Sequence, residues 1–149
     1  MALRVLLWHD GSMTKALEAL TNESVSVDVQ RVTYSENRVL RDVLLKAGSV
    51  PLVVASSVWP QERYTEVMGS SERLPIGKNL NNKRLEQFRE IHYVDQVECD
   101  TKLSELLGDE LGTMLNRRNY TIYQDQRVLT TITEIFSNKV KSYLSEEII

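Results

Sequence analysis

The feature that most constrains this fold is a repeated alternation of apolar and polar residues, interrupted by short turns. In SVSVDVQRVTY (24–34), Val25, Val27 and Val29 alternate with polar residues, which predicts a half-buried strand. The runs RVLRDVLLK (38–46) and PLVVASSVW (51–59) flank the turn AGSV and are expected to form a β-hairpin. NYTIYQDQRVLTTITEIF (119–136) is expected to form a second hairpin, with its turn near Gln124 to Gln126. Short turns of this kind favour antiparallel strands with one covered face.

Helical periodicity is confined to a few segments. Ser12 is a good N-cap for a helix in MTKALEAL (13–20). TKLSELLGDELG (101–112) predicts a second helix that ends near Gly112. Between them, EQFREIHYVD (86–95) is typical of a strand with Phe88, Glu90, His92 and Val94 on one face and Arg89, Ile91 and Tyr93 on the other.

The stretch from Pro60 to Arg84 keeps neither period and is predicted to be a long loop, of the kind that often forms a lid or a binding loop. A short helix is expected within it, in LPIGKNLNN (74–82). Because the helices are not interleaved one per strand, the sequence predicts one α+β domain over residues 1–149. We expect an antiparallel sheet of about six strands with helices on one face.

Two opposite charges stand at positions where this pattern predicts apolar residues. Arg41 shares a strand face with Val39, Val43 and Leu45. By the same period, Glu134 shares a face with Val128, Ile132 and Phe136. A charge in an apolar interior needs a partner or a ligand. One cation and one anion in an apolar cavity would suit a small polar ring acid, whereas the alternative is an internal ion pair, or charges near strand ends that reach solvent.

Composition excludes several other classes of protein. A net charge of −3 argues against a main role in holding nucleic acid. The single cysteine, Cys99, excludes an internal disulfide and is typical of a reducing compartment. No apolar run reaches the roughly 18 residues of a membrane span, and MALRVLLW is too short for a signal peptide. These features together predict a cytoplasmic domain. His9 and His92 are far apart and no cysteine or histidine stands at ligand spacing, so we expect no metal site.

Four segments occur in an order that is similar to a known family: DGSMTKALE, VLRDVLLKAGSVPLVVASSVWP, LPIGKNL and TEIF. Over roughly residues 5–137 the chain resembles the chorismate pyruvate-lyase family. The resemblance implies an antiparallel sheet with helices on one face and a ligand cavity enclosed under flaps. It also implies that pyruvate is removed from chorismate without metal or organic cofactor. The product would be 4-hydroxybenzoate, a precursor for quinones or other phenolic compounds.

The resemblance also implies roles for particular residues. Arg41 matches the arginine that binds the ring carboxylate, and Glu134 matches the glutamate near the ring hydroxyl. Met13 and Ile76 match a methionine and a leucine that contact the ligand, and Lys78 matches a basic residue of the helical loop.

One family arginine is missing, because Ser56 stands where a second arginine is expected on the strand after the first hairpin turn. Lys78 or one of the pair Arg117–Arg118 is then the candidate partner for the pyruvyl carboxylate. The alternatives without a ligand are a solvated loop charge for Lys78, core packing for Met13 and Ile76, and a small basic surface patch for the arginine pair.

Two further functions compete with the lyase. The effector domains of one class of bacterial transcription regulators share the chorismate-lyase fold and bind small molecules without converting them. A lyase for a related enolpyruvyl compound is the third possibility. The sequence leaves open whether the protein is a monomer or a dimer.

Overall fold

The computed structural model describes residues 2–68 and 87–146 of the chain. The strands are β1 (Val25–Ser35), β2 (Arg38–Ala47), β3 (Val50–Pro60), β4 (Phe88–Glu98), β5 (Met114–Gln124) and β6 (Arg127–Phe136). The helices are α1 (Ala2–Trp8), α2 (Met13–Thr21), α3 (Gln61–Met68), α4 (Thr101–Leu107) and α5 (Lys139–Glu146). None of these helices is long and apolar enough to cross a membrane.

The strands form one six-stranded antiparallel sheet in the order β1-β2-β3-β6-β5-β4. Both predicted hairpins, β2–β3 and β5–β6, are present. At the β5–β6 turn, Asp125 and Gln126 have φ angles of 52° and 62°. A left-handed conformation at both central residues is typical of the type I′ turn, whose twist matches that of the strands it joins. The pairing of β3 with β6 then joins two three-stranded halves that lie far apart in the chain.

Most of the helices lie on the face of the sheet that carries Arg41. Leu17 of α2, Met68 of α3 and Val140 of α5 belong to one large core with side chains from that face. The helix α4 packs on the opposite face, where Leu103 and Leu107 meet a small second cluster of apolar side chains from the strands. The α+β fold class is confirmed, and one short helix covers part of the outer face.

The α2 prediction is confirmed in detail. The Ser12 side chain accepts a hydrogen bond from the Lys15 amide, and this caps the first turn of the helix. Asn22 ends the helix in the left-handed conformation, at a φ of 57°.

Two predicted boundaries are wrong. The helix α4 ends at Leu107 rather than near Gly112, because Gly108 adopts a φ of 80° and caps the helix one turn earlier. The predicted loop begins with α3, whose buried Tyr64, Val67 and Met68 have helical spacing. The short helix predicted at 74–82 lies outside the described residues.

Candidate functional site

Arg41 lies in the interior of the sheet, as its strand face predicts. Its cross-strand partners are Val32 on β1 and Ser57 on β3. Its side chain is 1% exposed, and the neighbours on the same face, Val39 and Val43, are also buried. Arg41 is therefore a buried cation on a strand face whose neighbouring positions are apolar.

Glu134 is the second buried charge, and it is 3% exposed. Arg118 stands directly opposite on β5, and its Nε donates to Glu134 Oε1 at 2.5 Å. The hydroxyl of Tyr120 donates to the other carboxylate oxygen, Oε2, at 3.2 Å. Both oxygens of Glu134 thus accept a hydrogen bond inside the protein.

Arg118 is itself fully enclosed. Its Nη1 donates to the carbonyl oxygens of Leu7 and His9, at 3.3 and 3.0 Å, and its guanidinium carbon lies 4.5 Å from the centre of the Tyr120 ring. Burial lowers the pKa of Arg118, but the charges and hydrogen bonds of Glu134 and Tyr120 together outweigh burial and raise it. Burial also raises the pKa of the Tyr120 phenol, and Glu134 raises it further. Tyr120 therefore stays a hydrogen-bond donor at neutral pH.

These groups border a cavity between the sheet and the start of α2. Its apolar walls are Val27, Val43, Leu45, Ala55, Ile122 and Ile132, so that β1, β2, β3, β5 and β6 all contribute. Its polar lining consists of Arg41, Arg89, Tyr120 and Glu134, and α2 with its cap adds Ser12, Met13 and Thr14. The free volume is about 40 Å³, room for a few water molecules, so a ring-shaped ligand needs the cavity to widen.

Three of the five residues predicted to bind a ligand lie around this cavity: Arg41, Glu134 and Met13. The other two, Ile76 and Lys78, lie outside the described residues, as does the rest of the predicted lid after α3. That any of the five contacts a ligand stays a prediction.

The arginine pair is not a basic surface patch. Arg117 points to the outer face and forms a two-pronged ion pair with Asp95, with N–O distances of 2.8 and 2.6 Å. Arg118 points inward and forms an ion pair with Glu134. The hypothesis that one of them meets a pyruvyl carboxylate is not supported, because both guanidinium groups are engaged within the protein and neither lines the cavity.

Ser56 does not face the cavity. It is exposed and pairs with Asp42 on β2, one residue out of step with Arg41. Its neighbour Ser57 is the buried one, with a hydroxyl that donates to the Arg41 carbonyl and accepts from the indole nitrogen of Trp59. A serine at position 56 therefore removes no cation from the cavity wall.

Arg89 is the residue that sequence reasoning missed. It is half-buried on β4, pairs with Ile122 and lines the cavity. The sequence did contain a signal, since Arg89 shares a strand face with the apolar Ile91, just as Arg41 shares one with Val43. A bulge at His92 then shifts the pattern, so Val94 rather than Tyr93 packs against the core.

Val128 is a related correction on β6. It was expected to share the buried face of Glu134, but it is 47% exposed. An irregularity in the β5–β6 register between Ile122 and Tyr123 changes the alternation at this end of the hairpin.

His9, His92 and Cys99 were the other residues considered for a catalytic or metal-binding role. A ring nitrogen of His9 lies 2.6 Å from the Leu6 carbonyl, and the exposed His92 lies 2.6 Å from the Thr121 hydroxyl. Cys99 is buried, and burial raises the pKa of its thiol, which makes it a poor nucleophile. Within residues 2–68 and 87–146, no three His, Cys, Asp or Glu side chains come together as a metal site.

Solved structures share this arrangement of sheet and helices. The effector domain of PhnF from Mycobacterium smegmatis matches with a TM-score of 0.70 and 13% identity, over 87% of this chain and 90% of that one. A transcriptional regulator of the GntR family from Bacillus cereus matches with a TM-score of 0.59 and 14% identity, over 77% and 92%. At such identities the likeness establishes the fold, which is the α+β class expected from the sequence.

Comparison with related sequences identifies the family of the chain. The family described as chorismate pyruvate-lyase Rv2949c-like matches residues 7–144, and the chain belongs to this family. The protein MJ0807 of Methanocaldococcus jannaschii, whose name assigns it provisionally to the lyases, is 35% identical over 93% of this chain and 79% of its own length. The uncharacterized protein ycf21 of Cyanophora paradoxa is 25% identical over 91% and 77%.

Proposed function

We propose that this protein is a chorismate pyruvate-lyase, which releases pyruvate from chorismate and leaves 4-hydroxybenzoate. The observation that supports this most directly is that Arg41 and Glu134 border one apolar cavity in a member of the chorismate pyruvate-lyase Rv2949c-like family. Chorismate carries a ring carboxylate, a ring hydroxyl and an enolpyruvyl ether, so its polar groups need a cation and a hydrogen-bond acceptor set in apolar walls.

Arg41 is the proposed anchor for the ring carboxylate. A guanidinium group matches a carboxylate with two parallel hydrogen bonds, which fixes the orientation of the ring as well as its position. Because Arg41 is 1% exposed, little water competes for that contact. The anchored ring then lies against the apolar side chains of β2 and β6.

Glu134 is the proposed acceptor for the ring hydroxyl. Arg118 and Tyr120 each occupy one carboxylate oxygen, and a carboxylate offers further lone pairs for a substrate hydroxyl. Arg118 forms an ion pair with Glu134 and fixes the position of its carboxylate. We therefore assign Glu134 the role of a fixed anion that orients the hydroxyl.

The reaction itself balances without an electron acceptor. The bond between the ring and the ether oxygen breaks, and the carbon that bears the hydroxyl loses its proton. The ring becomes aromatic, and the released enolpyruvate takes up a proton to become pyruvate. Since aromatisation makes this elimination strongly favourable, positioning and electrostatic assistance are what the protein has to supply, and no cofactor is required.

The test is to incubate the purified protein with chorismate and to quantify pyruvate and 4-hydroxybenzoate together. The proposal expects equal amounts of both products, and a loss of about 100-fold or more in kcat/KM for Arg41→Ala, because the substrate loses its carboxylate anchor. Arg38→Ala, an exposed position on the same strand, is the matched control and should retain activity. Unchanged chorismate with a well-folded protein would contradict the proposal.

A second function is favoured by the structural neighbours. The effector domain of PhnF shares the fold over 87% of this chain, so a domain that binds a ring acid without converting it is the alternative. Calorimetric titration with chorismate separates the two: heat of binding with no release of pyruvate supports the binding domain. Binding followed by release of both products supports the lyase.

A further inference from the structure

We infer that Arg89 is a second anion anchor of this cavity and selects ligands with two carboxylates over ligands with one. This inference rests on the proposed function, since in chorismate the second carboxylate is the pyruvyl one. It gives the cavity a partner for that group, a role for which the sequence offered only Lys78 or the pair Arg117–Arg118.

The sheet register places the polar groups at three corners. Arg41 lies in one row across the sheet with Ser57, Ile132 and Tyr120. Glu134 lies in the next row on one side, where it pairs with Ala55.

Arg89 lies in the next row on the other side, with Ile122 and Thr130. Across the strand order, Glu134 on β6 is two strands from Arg41 on β2 and two strands from Arg89 on β4. The two cations therefore reach the cavity from opposite parts of the sheet.

The space between these corners is apolar. Ile122 and Ile132 lie between the arginines across the sheet, and Val43 and Leu45 extend the wall beside Arg41. A ring would occupy this space while its polar substituents reach outward. Chorismate also has three polar substituents, and two of them are anionic, in keeping with two cationic corners and one acceptor.

The charged residues of the cavity wall include a second cation besides Arg41. Arg41, Arg89 and Glu134 line the cavity. Arg118 does not line it but forms an ion pair with Glu134. Arg89 is therefore a cation of the cavity wall in addition to Arg41 and to the Arg118–Glu134 ion pair. The part of the chain that the structure describes contains no carboxylate within ion-pair distance of Arg89.

Arg89 also acts on the site electrostatically. Its charge works against the rise in the pKa of Tyr120, together with that of Arg118. Arg89 is therefore close enough to influence the hydroxyl that donates to Glu134. Its half-buried position leaves it partly screened, so its effect on binding should be smaller than that of Arg41.

The experiment compares two stable ring acids that differ in one carboxylate: 4-hydroxybenzoate and 3-carboxymethoxy-4-hydroxybenzoate. We expect Arg89→Gln to weaken binding of the dicarboxylate about tenfold or more, and that of 4-hydroxybenzoate less than about threefold, by calorimetric titration. Arg89→Lys should restore part of the loss, because the charge returns without the planar fork. Arg31→Gln, an exposed position on β1, is the matched control.

Turnover gives the second readout. With chorismate, Arg89→Gln should raise KM about tenfold, whereas unfolding curves should stay close to wild type because the residue is on an edge strand. Equal weakening of both ring acids, or of neither, would overturn the role of Arg89. Failure of the wild type to bind either acid would also overturn it.

The two proposals fail separately. If the wild type binds the dicarboxylate through Arg89 but leaves chorismate unchanged, the lyase proposal fails and the anchor stands. If the wild type releases pyruvate and Arg89→Gln has the KM of the wild type, the anchor fails and the lyase proposal stands.

Discussion

Arg117 and Arg118 are neighbours in the chain, yet they form two ion pairs in opposite environments. Arg117 and Asp95 lie on the outer face, with side chains 31% and 42% exposed. Arg118 and Glu134 lie on the inner face, where Glu134 borders the cavity, with side chains 1% and 4% exposed. Water screens the first pair, whereas neither member of the second can lose its partner without leaving a buried charge uncompensated.

The difference shows why the buried pair belongs to the candidate site and the outer pair does not. An exposed pair contributes little to stability, because water hydrates both charges when the pair breaks. The buried pair costs desolvation energy, which the protein offsets with Tyr120 and the carbonyl oxygens of Leu7 and His9. Such a network holds the Glu134 carboxylate in one position, which is what a directional ligand contact requires.

The largest expected effect comes from breaking the buried pair at its cation. We expect Arg118→Met to lower the free energy of unfolding by about 3–5 kcal/mol, because Glu134 then loses its partner in the interior. Arg117→Met should lower it by less than about 1 kcal/mol. Urea unfolding curves of both variants measure the contrast, and equal losses would show that burial does not distinguish the two pairs.

Glu134→Gln separates the charge of the acid from its shape. We expect a loss of about 100-fold in kcat for chorismate, because the neutral amide no longer offers a fixed anion to the ring hydroxyl. Asp95→Asn, the equivalent change in the outer pair, should leave kcat unchanged. Initial rates of pyruvate release measure both, and a Glu134→Gln protein with wild-type kcat would exclude the assigned role.

The contribution of the Arg117–Asp95 pair to stability should depend on pH. A hydrogen bond from Arg117 lowers the pKa of Asp95 below its ordinary value of 3.8, so the folded state favours the ionised acid. The stabilisation is present above pH 3.8 and disappears as the pH falls through the lower pKa of the folded state.

The stability difference between the wild type and Asp95→Asn should therefore be less than about 1 kcal/mol at neutral pH and shrink in acid. Thermal unfolding across this pH range tests the sign. A difference that grows as the pH falls would contradict it.

The smallest effect is expected from restoring the arginine that the family resemblance places at position 56. Because Ser56 lies on the outer face, Ser56→Arg should change KM for chorismate by less than about twofold, an effect typical of a remote exposed charge. Steady-state kinetics at low and moderate salt test this. A clear fall in KM would mean that the side chain at position 56 reaches the ligand.

Local patterns predicted a large part of this fold. The alternation in β2 and β6 predicted that Arg41 and Glu134 lie on buried faces, because every second side chain of a strand points toward the core. Ser12 marked the start of α2, since its side chain satisfies a free amide of the first turn. Short turns between the strands predicted the antiparallel hairpins.

The failures also have physical causes. Gly108 and Gly112 both adopt left-handed conformations, and the sequence pattern does not tell which one ends α4. The irregularity at Ile122 and the bulge at His92 each reverse the alternation by one residue, so Val128 and Tyr93 were placed on the wrong face.

What the sequence determines by itself is most of the strands, the two hairpins β2–β3 and β5–β6 and the face on which Arg41 and Glu134 lie, because these depend on neighbours in the chain. Only the tertiary structure decides which charges meet. Arg118 reaches Glu134 through the β5–β6 register, and Arg89 reaches the cavity because β3 pairs with β6 and the sheet brings its far edge to the site. Such pairings depend on packing between segments distant in the chain, and no local periodicity encodes them.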